Sequence, residues 1–182
     1  MENERNLYHD LDSILYSREE VAAAVRALGE RITADYRGKN PVFICILKGA
    51  SVFFSDLIRQ VDLPLEIEFM AVSSYGASTK SSGEVRLVKD LDRSILGRDV
   101  IIVEDIVDSG HTMDFLLRQL GTRGARSLRL AVLLDKQERR QVPVLAHFVG
   151  FALPAGFIVG YGLDYAERFR ALPALYEIPC EE

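Results

Sequence analysis

Asp99 to Thr112, read DVIIVEDIVDSGHT, is the stretch that most restricts how this chain can fold. Val100, Ile101, Ile102 and Val103 form a β-branched run with no polar face, the pattern of a strand buried on both sides of a sheet. Glu104 and Asp105 follow where that strand is predicted to surface at its carboxyl end, the edge at which open α/β sheets bind ligands. After Ile106 and Val107 comes a turn of Asp108, Ser109, Gly110, His111 and Thr112, then Met113, Leu116, Leu117 and Leu120 at helical spacing. A turn of this composition at a helix N-terminus aims backbone N–H groups outward and suits a phosphate. Acids and hydroxyls also favour an ordinary helix start. An acid pair beside a phosphate cradle nevertheless points to a ligand carrying both hydroxyls and phosphate, such as a ribose 5-phosphate, with Mg²⁺ held by the carboxylates.

The flanking segments repeat the theme of strand, turn and helix. Leu7, Leu11, Ile14 and Leu15 form a short apolar-spaced segment of undefined structure. Ser17 to Glu20 has the form of a capping box, with Tyr16 and Val21 placed as a hydrophobic staple, so a helix is predicted to start there. Val21, Val25, Leu28, Ile32 and Tyr36 keep one apolar face until Gly38. Val42 to Leu47 is a second buried strand, ending in Lys48-Gly49, which either begins a plain turn or meets an anion. Phe54, Leu57, Ile58 and Val61 mark the next helix. Leu65 to Val72 alternates as a strand and Glu84 to Val88 returns; between them Ser73 to Gly83 is a bare hairpin tip or a lid over a ligand. Leu128 to Leu134 is another buried strand, and Lys136 at its end either snorkels to the surface or faces a crevice made by Asp105 and Asp108. Gln137 to Gln141 reads as a polar link.

Strands alternating with helices predict an α/β fold with a doubly wound, mostly parallel sheet flanked by helices, and 182 residues suit a single domain over 1–182. A net charge of -5 gives no footprint for nucleic acid or an anionic membrane, so no such partner is expected. Two cysteines are too few for a disulfide framework, and MENERNLYHD lacks the apolar core of a signal peptide, so reduced thiols in a cytoplasmic protein are expected. Val142 to Leu163 contains no Asp, Glu, Lys or Arg, but its prolines and glycines divide it into two short strands, HFVGF and FIVGY, rather than a membrane span.

VEDIVDSGHT resembles the 5-phosphoribosyl 1-pyrophosphate (PRPP) motif of type I phosphoribosyltransferases, and VGFALPAGFIVGYGLDYAERFRAL is similar to the closing segment of the 6-oxopurine branch. Resemblance to the hypoxanthine-guanine phosphoribosyltransferases covers nearly the whole chain. It implies transfer of phosphoribosyl from PRPP to N9 of hypoxanthine or guanine, Mg²⁺ as cofactor, and a homodimer or homotetramer. It also implies a small hood from 1–16 and 165–182. In the implied site Asp108 is the catalytic base, and Glu104, Asp105, Ser109, Gly110, His111 and Thr112 hold the ribose and 5-phosphate. Lys48, Gly49 and Arg170 meet pyrophosphate, the Lys48 loop carrying a cis peptide. Lys136, Phe157, Ile158 and Asp164 bind the base, by contact with its 6-oxo group, stacking, backbone groups and local order respectively. Glu104, Asp105 and Asp164 attend the metal, and Ser74 and Tyr75 sit on the lid.

Two positions depart from the family pattern: His111 stands where Lys is common, with little damage expected because backbone groups bind there, and Ala155 stands where Asp is frequent. Competing readings are a uracil phosphoribosyltransferase-like regulator that binds RNA, which the acidic balance opposes, and a PRPP sensor that controls DNA, which would need an added module.

Overall fold

The computed structural model describes residues 11, 13–74 and 85–178. Ser17 opens the first helix as its spacing predicts: its hydroxyl accepts from the Glu20 N–H at 3.2 Å while the Glu20 carboxylate accepts from the Ser17 N–H at 2.8 Å. In chain order the elements are β1 (Ile14–Tyr16), α1 (Arg18–Asp35), β2 (Val42–Leu47), α2 (Ser51–Ile58), β3 (Glu66–Ser74), β4 (Val85–Lys89) and β5 (Asp99–Val107). Then come α3 (His111–Gly121), β6 (Ser127–Asp135), a 3₁₀ turn (Gln137–Arg139), β7 (Phe148–Ala152), β8 (Phe157–Val159) and β9 (Leu175–Ile178).

Six strands form the main sheet in the order β4-β3-β2-β5-β6-β7. All neighbours are parallel except the β3–β4 hairpin. Period-two alternation splits their apolar residues between two cores. Phe43, Cys45, Ile101 and Val103 face α1 and α2 through Val25, Leu28, Phe53 and Leu57. Val42, Ile44, Val100 and Ile102 face α3 through Met113, Leu116 and Leu120. Covering both faces is what requires these strands to be apolar throughout. From β2 the chain crosses by α2 to β3 on one side, and from β5 by α3 to β6 on the other. The topology therefore reverses between β2 and β5, and their carboxyl ends open the crevice in which such sheets bind ligands. The doubly wound, mostly parallel α/β architecture is present as expected.

One expectation is corrected. β5 does not end at Val103 but runs to Val107, because β6 continues to pair with it through Glu104↔Val132, Ile106↔Leu134 and Val107↔Asp135. HFVGF and FIVGY are strands in different sheets: β7 extends the main sheet, while β8 joins a three-stranded sheet of order β1-β9-β8. In that sheet Ile14 pairs with Tyr176, so segments near both ends of the chain meet. The Tyr16 ring stacks on Phe151 at 3.9 Å between centroids and fastens the small sheet to the large one. Among the described residues no helix is long and apolar enough to cross a membrane. Ser74 ends β3 paired with Val85, whereas Tyr75, the rest of the predicted lid and Cys180 lie outside the described residues. Buried Cys45 is a free thiol that its apolar surroundings and the nearby Glu104 and Asp105 push up to about 12, so it is no nucleophile.

Candidate active site

β5 delivers its two carboxylates into the crevice still inside the strand. Glu104 and Asp105 are 8% and 9% exposed, and the donors they meet are backbone: the Asp105 N–H reaches Glu104 Oε1 at 3.1 Å and the Ile106 N–H reaches Asp105 Oδ1 at 2.7 Å. Burial, with the Asp105 charge second, holds Glu104 well above the usual carboxylate range. Burial raises Asp105 as well, against the pull of Arg170. The two groups share a deficit that a cation would complete. A stability effect follows. A carboxyl raised in the folded state binds more protons there than in the unfolded chain, so stability falls as pH rises from the ordinary carboxylate range through the folded value. In chelator-containing buffer, Glu104→Gln is expected to unfold at a higher temperature than wild type at pH 7.5 and at the same temperature near pH 4. The gain is about 2–4 °C for each kcal/mol in a chain of this size, readable by circular dichroism.

Beyond β5 the chain turns at Ser109 and Gly110, and the turn is built from outside. Gly110 has φ +91°, and a Cβ there would stand 2.8 Å from both Arg140 Cδ and the Val142 carbonyl. No side chain caps α3 at Gly110, so the orphan N–H groups of its first turn are left for an anion. A cavity of about 280 Å³ lies here, lined among others by Glu104, Asp105, Asp108, Ser109, Gly110 and Thr112. The His111 side chain is not part of that lining; its Nε2 sits 3.0 Å from Gln141 Oε1, which leaves any role in the cradle to its backbone N–H. Asp108 has Lys136 Nζ 3.7 Å from Oδ2 and Arg139 Nε 3.0 Å from Oδ1. The Arg139 approach is ionic, and Oδ1, shielded from solvent, accepts no hydrogen bond. Asp108 thus stands between two cations, with Oδ1 outside hydrogen-bonding geometry to either.

Lys136 is 4% exposed, not a snorkelling surface residue. Its N–H donates to the Val107 carbonyl at 3.0 Å, and its ammonium donates to the Gly156 carbonyl at 2.6 Å, immediately before Phe157. Phe157 is half-buried and packs edge-on against Tyr165, with centroids 5.5 Å apart at 86°. Ile158 buries its side chain in the core, so it can offer a ligand only backbone groups.

On the other side of the crevice the Leu47-Lys48 peptide is cis. Lys48 does not lie free: its side chain is 72% exposed and its ammonium meets Glu167 Oε1 at 3.0 Å. Arg170 Nη2 meets Asp164 Oδ1 at 2.8 Å and Glu167 Oε2 at 3.3 Å, while Nη1 donates to the Gly162 carbonyl at 2.8 Å. Lys48 and Arg170 hold the Glu167 carboxyl below the usual carboxylate range. The expected metal set is Glu104, Asp105 and Asp164. Among the described residues no three His, Cys, Asp or Glu side chains gather as a metal cage. Asp164 is committed instead to Arg170 and to the Glu167 N–H at 2.8 Å.

A family model described as the phosphoribosyl transferase domain matches residues 12–166. The chain is 50% identical to the hypoxanthine-guanine phosphoribosyltransferase of Bacillus subtilis over 91% of this chain and 92% of that protein. The chain belongs to the phosphoribosyltransferase family. Its structure superposes on a crystal structure of a hypoxanthine phosphoribosyltransferase from Staphylococcus aureus with a TM-score of 0.91 and 42% identity, covering 98% of this chain and 97% of that one. It is also 49% identical over 92% of its length to the bifunctional protein TilS/HprT of Listeria innocua, of which it spans only 26%.

Four residues of this crevice escape a reading of the sequence. Arg139 and Arg140 fall in the predicted polar link, yet Arg140 is an organising residue: it ion-pairs with buried Asp135 and donates to the Asp108 and Val144 carbonyls at 3.1 and 2.8 Å. The available signal was Asp135 itself, a carboxylate at the end of a buried strand that requires a cation. Tyr165 and Glu167 lie in a loop where Ala166, Glu167 and Phe169 all have positive φ. Non-glycine residues rarely adopt such angles, and no local pattern announces them.

Proposed function

We propose that this chain transfers the 5-phosphoribosyl group of PRPP to N9 of hypoxanthine and/or guanine, giving IMP or GMP and pyrophosphate. The observation that carries the reading is the placement of the Lys136 ammonium, 3.7 Å from Asp108 Oδ2 and 2.6 Å from the carbonyl preceding Phe157. A proton acceptor, a donor for a 6-oxo group and an aromatic face thus converge at the end of the phosphate turn. The α3 N-terminus with Ser109, Gly110 and Thr112 takes the 5-phosphate, and Lys48, Gly49 and Arg170 take the pyrophosphate. As the bond from C1 of the ribose to pyrophosphate breaks and that to N9 forms, Asp108 accepts the purine N–H proton. Charge growing on the leaving group is met by Lys48 and Arg170. Glu104 and Asp105 fit a divalent cation, since among the described residues the hydrogen-bond donors on their oxygens are backbone N–H groups and such an ion fills its remaining positions with water and substrate oxygens. Mg²⁺ held there, with Asp164 nearby in sequence to Arg170, would supply charge neutralisation at the ribose hydroxyls and pyrophosphate. The small β1-β9-β8 sheet is assigned to the hood over the base, and Ser74 with Tyr75 to the lid. A homodimer or homotetramer in the cytoplasm belongs to the same reading.

An ammonium has three donors, and Gly156 uses one. Another can meet a 6-oxo acceptor, but would confront the 6-amino group of adenine donor to donor, an unpaired burial of about 1–3 kcal/mol. Purified protein with PRPP and Mg²⁺ is expected to release pyrophosphate with hypoxanthine or guanine and not with adenine or uracil. Lys136→Ala is expected to lower the preference for hypoxanthine over adenine by about 5- to 150-fold. An unchanged ratio removes Lys136 from selection, and turnover with uracil alone removes the purine assignment.

A further inference from the structure

Glu167 ties Lys48 to Arg170. Each carboxylate oxygen takes one cation, Oε1 the Lys48 ammonium at 3.0 Å and Oε2 the Arg170 guanidinium at 3.3 Å. One carboxylate thus bridges the two side chains assigned above to pyrophosphate. The loop is bent to deliver it. Ala166, Glu167 and Phe169 take φ values of +51°, +62° and +75°, Tyr165 and Arg168 exchange backbone hydrogen bonds at 3.2 and 3.0 Å, and the Glu167 N–H is held by Asp164. A purely structural purpose is a weak account of this arrangement. Lys48 is 72% and Glu167 65% exposed, and pairs so open to water contribute little to stability.

We propose that Glu167 is an internal stand-in for pyrophosphate, a positioning residue that keeps Lys48 and Arg170 side by side in the free protein and is displaced when PRPP or pyrophosphate enters. The proposal rests on the phosphoribosyl transfer reading. Because the carboxylate competes for the same two cations, it lowers affinity for the polyphosphate group and hastens the departure of pyrophosphate. On the base side, Lys136 is tied to Asp108 and Gly156 rather than to Glu167, and the loop reaches that side through Tyr165, which packs on Phe157.

The test is isothermal titration of pyrophosphate in Mg²⁺ buffer into the full chain carrying wild-type Glu167, Glu167→Gln or Glu167→Asp, alongside KM values for PRPP and hypoxanthine. Glu167→Gln keeps the shape and removes the charge, and is expected to tighten pyrophosphate by about five- to tenfold. KM for PRPP should fall with it while KM for hypoxanthine stays constant, and Glu167→Asp should return values toward wild type. A structural role alone would splay Lys48 and Arg170 and weaken pyrophosphate binding. Unchanged or weaker binding by Glu167→Gln, with wild type binding normally, overturns the stand-in while leaving phosphoribosyl transfer in place. No binding of pyrophosphate by wild type overturns the transfer reading and the stand-in together.

Discussion

Asp108→Asn, assayed with saturating PRPP and hypoxanthine, is expected to lose about 10²- to 10⁴-fold in kcat while its KM for PRPP stays within about twofold. The amide has the size of the carboxylate, so the turn that carries Ser109 and Gly110 should persist: it is built from the Gln141 and Val142 N–H groups on the Ser109 carbonyl, at 2.9 and 3.2 Å, and not from the Asp108 side chain. What disappears is the acceptor. Oδ1 accepts no hydrogen bond, although Arg139 Nε stands 3.0 Å away, and it is the oxygen assigned to the purine N–H; an asparagine cannot take that proton. The substitution also leaves buried Lys136 facing a neutral group at 3.7 Å, a second loss that falls on the base rather than on PRPP. Comparing kcat with the PRPP dissociation constant separates the two effects. Undiminished kcat would remove Asp108 as the base, and a loss of PRPP binding equal to the loss of kcat would make it a ligand for the sugar phosphate instead.

Gly49→Ala is expected to abolish measurable PRPP binding and to lower the unfolding temperature by about 3–10 °C. A Cβ at Gly49 would overlap the Asp105 Oδ2 atom and stand 2.9 Å from its Cγ. Asp105 cannot step aside cheaply, because it is buried in β5 and held by the Ile106 N–H. Nor can the Lys48-Gly49 turn retreat. Gly162 lies behind it, so close that a Cβ there would overlap the Gly49 carbonyl, and at φ +102° Gly162 itself has a backbone that only glycine adopts easily. The Lys48-Gly49 turn is clamped between Asp105 and the Gly162 backbone, with no room for an added methyl. Thermal melts together with PRPP titration check both parts. A Gly49→Ala protein that melts like wild type and still binds PRPP would show that Asp105 moves freely, contrary to its burial.

Much of the site was legible in the sequence because it is carried by local chemistry. A strand buried on both faces announces itself by an unbroken apolar run, so Val100–Val103 and Leu128–Leu134 located two neighbouring strands of the main sheet and the ends at which their polar residues emerge. Asp108 to Thr112 is recognisable because a phosphate turn needs a flexible residue, a helix start and hydroxyls in sequence. Lys136 was identifiable as a cation at a strand end, but its two readings, snorkelling and crevice-facing, could be separated only by its burial and by the Gly156 carbonyl twenty residues away. The end of β5 was misplaced for a related reason. Glu104 and Asp105 look like the close of a strand in isolation, and only the continued pairing with β6 keeps them inside it.

The sequence by itself determined the alternation of strand and helix, the two-sided burial of the sheet, the glycine turn before α3 and the acids and lysines near the strand ends. Period-two and period-3.6 patterns and turn chemistry are properties of neighbours along the chain. Only the tertiary structure decided that HFVGF and FIVGY belong to different sheets, that Arg140 answers Asp135, and that Glu167 joins Lys48 to Arg170. Those choices depend on where elements remote in sequence come to lie, and the sign of a charge shows that a partner is required without showing which one the fold brings within 3 Å.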